Sequence, residues 1–189
     1  FIGMSSEVIL HSLPVAVIAS FFSTLLWILK QKLPELGGKA GFVAFLGVML
    51  ANVPRIFEIE IYMPIDVKIY HLIIAFLVSI VSVFFTLYIR EIFRKLKSNA
   101  VFASSIIGIV FGLLSLFIFF EPFPQVAFAS SFAAMSSLKL VGNKFKYSVK
   151  TGILTALIFF LFIHFFPGFG GKLGTIAFFA TSTLLIIGM

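Results

Sequence analysis

The chain has 189 residues and no cysteine, which excludes disulfide bonds, thiolate metal sites and cysteine nucleophiles. Charged residues are scarce: they make up 11% of the chain, against 61% hydrophobic residues. A soluble domain of this length would expose far more charge. The mean hydropathy is +1.19, and the apolar residues fall in long runs typical of membrane-crossing helices. We therefore predict an all-α polytopic membrane protein that forms a single transmembrane domain over residues 1–189.

Acidic residues are missing from the middle of every long apolar run. Buried carboxylates are the usual proton and cation carriers in membranes, so their absence argues against a proton pump or a carboxylate-driven antiporter. No G-x-S-x-G motif or Ser–Lys pair stands out within an apolar run, and we do not expect an enzyme. His11, His71 and His164 lack metal-ligand spacing, so neither a metal nor another cofactor is expected.

Seven apolar segments predict seven transmembrane helices. They cover roughly residues 8–29, 40–53, 69–89, 100–120, 125–141, 151–166 and 173–189. The second segment is short, about two-thirds of a ~30 Å hydrocarbon core. In the fourth segment, Gly108 and Gly112 form a G-x-x-x-G motif that would let two helix backbones approach closely. The fifth segment is rich in serine and alanine, which favour close helix packing and hydroxyl bonds between helices.

The basic residues concentrate in alternate loops, so the net charge of +7 indicates membrane orientation rather than nucleic-acid binding. The first, third and fifth loops are basic, with Lys30, Lys32, Lys39, Arg90, Arg94, Lys95, Lys97, Lys139, Lys144, Lys146 and Lys150. The positive-inside rule then predicts cytoplasmic basic loops, an external N-terminus and an inner or plasma membrane location. Because the chain begins at Phe1 and ends within an apolar run, there is room for further spans beyond either end.

A short motif occurs twice, in residues 33–48 and again in residues 166–181. Aligned without a gap, the two copies share P-x-x-G-G-K-x-G-x-x-A-F. The matching pairs are Pro34/Pro167, Gly37/Gly170, Gly38/Gly171, Lys39/Lys172, Gly41/Gly174, Ala44/Ala177 and Phe45/Phe178. The first copy falls in the loop between segments 1 and 2, and the second in the loop between segments 6 and 7. An odd number of segments separates the two copies, which predicts opposite sides of the membrane and an inverted-topology repeat.

Each copy has the chemistry of an anion-binding helix start. The glycines permit positive φ and close backbone approach, and the following helix begins with unpaired N–H groups and a positive dipole end. A lysine there adds a full charge, so the site could hold an anion or a carboxylate. The predicted ligand-binding residues are Gly37, Gly38, Lys39, Gly41, Gly170, Gly171, Lys172 and Gly174. The alternative is a tight turn between helices whose lysine snorkels to the lipid headgroups.

Two functions follow from these readings. The first is a small transporter or channel-type protein that moves a small, anionic or carboxylate-bearing solute along a path between the second and seventh segments. The second is a non-catalytic membrane subunit that anchors or scaffolds a larger complex through its basic loops. The small size favours a homo-oligomer or a complex in either case. A transporter should show polar, water-accessible surface at both glycine motifs, whereas a scaffold should pack them dry.

Overall fold

A computed structural model describes residues 5–29, 35–53, 68–95, 99–117, 122–166 and 168–187. Within these ranges the backbone forms helices and turns without strands, which confirms the all-α prediction for this part of the chain. The helices are α1 (Leu13–Leu29), α2 (Lys39–Ala51), α3 (Ile69–Ile92), α4 (Asn99–Leu114), α5 (Pro122–Ala133), the single turn α6 (Leu138–Val141), α7 (Lys144–Phe162) and α8 (Lys172–Ile187).

Two predicted boundaries in the second half of the chain are wrong. The helix that covers the predicted segment 125–141 ends earlier than expected, since α5 stops at Ala133 and a turn separates it from α6. The helix that covers the predicted segment 151–166 starts earlier than expected, since α7 begins at Lys144. The Asn143 side chain caps α7 by accepting a hydrogen bond of 3.0 Å from the Lys146 N–H. Lysines that the sequence analysis assigned to a loop therefore lie in the first two turns of a helix.

The buried side chain of Arg90 accounts for the early end of α5. Arg90 is 5% exposed, and its guanidinium donates hydrogen bonds to the Ala134 and Ser136 carbonyls, the latter at 2.9 Å. The Tyr147 hydroxyl donates to the Ala133 carbonyl at 3.2 Å. These carbonyls lie at and just beyond the C-terminal end of α5, where backbone carbonyls lack N–H partners within the helix. A cation is favoured at this negative end of the helix dipole.

Helix α3 packs against α4, α5 and α7. It runs antiparallel to α7: Gly152 of α7 lies against the backbone of Ile80, while Lys144 forms a salt bridge with Glu91 at the other end of the pair. Helix α1 packs along α2, and α8 contacts α2, α5 and α7. The two helices that follow the glycine motifs, α2 and α8, therefore lie side by side.

Hydroxyl groups line the inside of this bundle, and large apolar side chains cover its outside. Ser79 of α3 and Ser130 of α5 share a hydrogen bond of 2.6 Å. Ser104 of α4 and Ser131 of α5 share another of 2.7 Å. These bonds confirm the expectation that serines of the fifth segment link helices. The exposed apolar residues of α3 include Ile73, Leu77, Phe84, Phe85 and Tyr88.

Two helices, α3 and α7, are long and apolar enough to cross a membrane. The other helices of the described chain, including the apolar helices α1, α2, α4 and α8, are shorter than α3 and α7 and fall below the length of a full membrane crossing. The described chain therefore contains two candidate membrane-spanning helices.

We predict that Arg90→Ala destabilises the protein strongly. The substitution leaves two buried carbonyls without donors, at about 1–3 kcal/mol for each unpaired group. The measurement is the unfolding midpoint of the purified protein in detergent, compared with Arg94→Ala. Arg94 is exposed near the end of the same helix, so its loss should have little effect. Equal midpoints for the two variants would contradict the role assigned to Arg90.

Candidate functional site

The two glycine motifs contact each other directly at the starts of α2 and α8. A Cβ atom added to Gly41 would lie 2.6 Å from the Cα of Gly174. A Cβ atom added to Gly174 would lie 2.6 Å from the Cα of Gly41. Real Cβ atoms do not approach so closely, so both positions require glycine. The first turns of the two helices thus pack backbone against backbone.

The preceding glycines repeat this reciprocal pattern. A Cβ atom at Gly38 would clash with the carbonyl oxygen of Gly174, and one at Gly171 would clash with the carbonyl oxygen of Gly41. Both residues have positive φ, 79° at Gly38 and 85° at Gly171, a conformation that favours glycine. Each motif therefore uses its glycines in the same way against the other motif.

Two serines hold the motifs through matching hydrogen bonds. The Gly37 N–H donates to the Ser136 hydroxyl at 2.9 Å. Its counterpart, the Gly170 N–H, donates to the Ser5 hydroxyl at 2.8 Å. Ser5 lies before α1, the helix that precedes the first motif, and Ser136 lies before α7, the helix that precedes the second motif. Each serine therefore binds the motif that is more distant from it in sequence.

The next residues in these segments form a second matching pair of bonds. The Ser137 N–H donates to the Glu35 carbonyl at 2.9 Å, and the Ser6 N–H donates to the Gly168 carbonyl, also at 2.9 Å. Sequence reasoning missed these four serines. A signal was present, because Met-Ser-Ser occurs at residues 4–6 and again at residues 135–137. A repeat of three residues is weak evidence in a chain of such biased composition, and it becomes informative only when the contacts are known.

This contact corrects one part of the sequence analysis. The two motifs were expected in loops on opposite sides of a membrane, but they touch. Points on opposite faces of a ~30 Å hydrocarbon core cannot make contact. Both α2 and α8 are short, with 13 and 16 residues, so each can begin in the interior of the molecule. Pro34 and Pro167 of the motifs lie outside the described residues.

The first motif opens onto a cavity of about 520 Å³ between α2, α4 and α5. Its polar lining comes from Lys39, Ser104 and Ser105, and the backbone from Gly38 to Gly41 forms one wall. The remaining lining is apolar: Trp27, Leu36, Val101, Phe128, Phe132 and Met135. The α2 start therefore faces a partly open space beside a lysine, an arrangement suited to an anionic group.

A second cavity of about 440 Å³ continues from the first along α4 and α5. The two share Ser105 and Phe128, and Leu173 in the first turn of α8 lines the second. Gln125 adds an amide to its wall. Together the cavities form a groove that runs past the start of α2 and reaches the start of α8.

The two motif lysines have different surroundings, although they occupy equivalent positions. Lys39 lines the larger cavity. The Lys172 ammonium donates a hydrogen bond of 3.1 Å to the Ile163 carbonyl at the end of α7, and it lines neither cavity. Gly170, Gly171 and Gly174 are buried and also line neither. The predicted ligand-binding residues are thus brought together, but only Gly38, Lys39 and Gly41 face the groove.

Other sequence features have structural roles. Gly108 accommodates the Phe128 ring, whose Cε2 would lie 2.8 Å from an added Cβ, and nothing lies within 4 Å of one at Gly112. The predicted close approach of two backbones at this G-x-x-x-G motif is therefore wrong. Among the described residues, no group of three or more His, Asp or Glu side chains could hold a metal ion.

Comparison with protein-family models, curated proteins and solved structures finds no match to this chain.

We predict that Gly41→Ala and Gly174→Ala each destabilise the protein by about 1–3 kcal/mol, because either methyl group forces the two backbones apart. The double variant should cost less than the sum of the two, since both substitutions open one contact. Unfolding in detergent measures these differences. Gly112→Ala is the control, because its methyl group meets nothing. Additive effects, or a Gly41→Ala variant as stable as Gly112→Ala, would contradict the contact.

Proposed function

We propose that this protein is a small membrane transporter with an inverted-topology repeat, and that it moves small carboxylate-bearing solutes through the groove beside α2 and α8. The observation that carries the proposal is the reciprocal packing of the two glycine motifs against each other, beside this groove. In this proposal one half is α1 with α2, and the other is α7 with α8.

The contacts support a two-fold relation between the halves. When two copies of one motif meet around a two-fold axis, residue i of one contacts residue j of the other, and j contacts i. The glycine contacts and both pairs of serine bonds follow this rule. The antiparallel packing of α3 and α7 supports inversion, because the third and sixth crossings of a regular up-and-down chain run in opposite directions. Helix α1 then runs opposite to α7.

The distribution of side chains supports membrane embedding. Hydroxyl groups such as those of Ser79 and Ser130 bond inside the bundle, whereas Leu77 and Phe85 of the same region are exposed. Exposed apolar surface of this extent marks contact with lipid or with another protein. In a membrane, α2 and α8 are about 20 and 24 Å long and so begin within the hydrocarbon core. Short helices that start at mid-depth line the binding sites of many transporters.

The charge at the groove supports an anionic solute. Two helix starts converge there, each with a positive dipole end, and the first also brings Lys39. Lys39 lines the cavity, whereas the neighbouring Ser104 and Ser105 hydroxyls donate to Ser131 and to the Val101 carbonyl. The lysine therefore carries the interaction with a carboxylate. The apolar remainder of the lining lowers the local dielectric constant, which strengthens the attraction between Lys39 and a carboxylate.

The dry packing of the second motif favours the alternative function, a membrane scaffold. Gly170, Gly171 and Gly174 are buried against the first motif and Ser5, as expected for a structural joint. A scaffold needs no solute path, so water access at the starts of α2 and α8 separates the two functions.

The inverted topology can be tested with single cysteines at Val53 and Ile186, which are equivalent positions after α2 and within α8. Both side chains are exposed, and the cysteine-free background makes labelling specific. In sealed vesicles of known orientation, an impermeant thiol reagent should label Val53→Cys only from outside and Ile186→Cys only from inside. Labelling of both from one side would refute the inverted repeat.

Transport can be tested with cysteines at the equivalent positions Ala40 and Leu173, which line the groove. Cysteine at Gly38 or Gly171 would itself disrupt the motif. A transporter should let an impermeant reagent reach both cysteines, while Gly112→Cys reacts slowly. In proteoliposomes, uptake of isotope-labelled small mono- and dicarboxylates should fall in Lys39→Gln and persist in Lys95→Gln. No labelling at either site, together with no uptake, would favour the scaffold.

A further inference from the structure

A third cavity, of about 470 Å³, lies at the opposite end of α7 from the glycine motif and is lined by the α6–α7 turn, α7 and the end of α8. Lys146 and Lys150 form one wall together with Asn143. Leu140, Val141 and Leu184 form an apolar wall, and Tyr147, 4% exposed, contributes to the lining. The cavity therefore has a cationic side and a hydrocarbon side.

The positive charge at this cavity is not balanced by the residues that line it. None of them is acidic. The nearby Glu91 lines a smaller cavity that shares Val141 and Gly142, and it is paired with Lys144. Arg94 lines that smaller cavity as well, so it adds to the positive charge at this end of the molecule.

The position of the two lysines is unfavourable without an anion. They lie one turn apart on α7, where like charges repel. They also lie in the first two turns of the helix, near its positive dipole end, where cations are disfavoured. An anionic group between the two ammonium groups would remove both penalties.

We infer that this cavity binds the phosphate headgroup of an anionic phospholipid. The inference goes beyond the proposed function, because it requires membrane embedding but not transport. Lys146 and Lys150 would hold the phosphate, while an acyl chain lies along the apolar wall of Leu140, Val141 and Leu184. The adjoining apolar wall favours a lipid over a free phosphate compound, which would gain nothing from it. Basic pockets between helices at the cytoplasmic face bind such headgroups, and this end carries the basic loops.

The test is a titration of the purified protein, in uncharged detergent, with phosphatidylglycerol or with phosphatidylcholine of the same acyl chains. Binding is measured by native mass spectrometry and by the rise in unfolding midpoint. Phosphatidylglycerol should bind and stabilise the protein, and phosphatidylcholine should not. In K146Q/K150Q the Kd should rise about 30-fold, or about 2 kcal/mol at 1.4 kcal/mol per tenfold.

Two further variants serve as controls. K68Q/K95Q removes the same charge from lysines that line neither this cavity nor its smaller neighbour, and it should keep the wild-type Kd. K146R/K150R keeps the charge and should retain binding, even if the glutamine variant is too unstable to measure. Equal weakening in both glutamine variants would indicate non-specific attraction and overturn the inference. Inorganic phosphate that stabilises the protein as well as phosphatidylglycerol does would overturn the lipid assignment.

Discussion

The contact between Gly41 and Gly174 is the constraint on which the rest of the structure depends. Two helix starts can meet backbone against backbone only where neither carries a side chain. Once they meet, α2 lies beside α8, and the groove beside α2 takes its shape. Two positive dipole ends are also brought together, a cost in free energy that an anion in the groove would offset.

The serine hydrogen bonds add to this contact by linking each glycine motif to a segment that is distant in sequence. Ser136 follows α5, and its carbonyl accepts a hydrogen bond from Arg90 of α3, so the first glycine motif is connected to α3. Ser5, at the start of the described chain, accepts a hydrogen bond from Gly170 of the second motif. The first glycine motif and Arg90 of α3 are therefore linked by hydrogen bonds through Ser136. Movement of α2 relative to α8 would have to break the hydrogen bond of 3.2 Å that Thr181 of α8 donates to the Gly37 carbonyl.

The two ends of α7 have different chemistry. At one end, the Ile163 carbonyl accepts a hydrogen bond from Lys172, which ties α7 to the glycine joint. At the other end, lysines crowd the first two turns beside an apolar wall. The same helix thus connects the groove proposed for a small anion with the cavity proposed for a lipid headgroup. The separation follows from the sequence of α7, which changes from basic to apolar along its length.

Several features were determined by sequence alone, because they depend on composition and local spacing. Low charge and long apolar runs predicted the all-helical fold, and the repeated Gly-Gly-Lys motif marked the two places where helices begin. Tertiary structure alone decided that these places touch, since close approach depends on atoms far apart in the chain. It also decided which lysine faces the groove: Lys39 and Lys172 occupy equivalent positions in the motif, but only Lys172 has the end of α7 within reach. Three lysines of a predicted loop lie in a helix, because the Asn143 cap starts α7 before them. Hydrogen bonding rather than hydropathy sets that helix boundary.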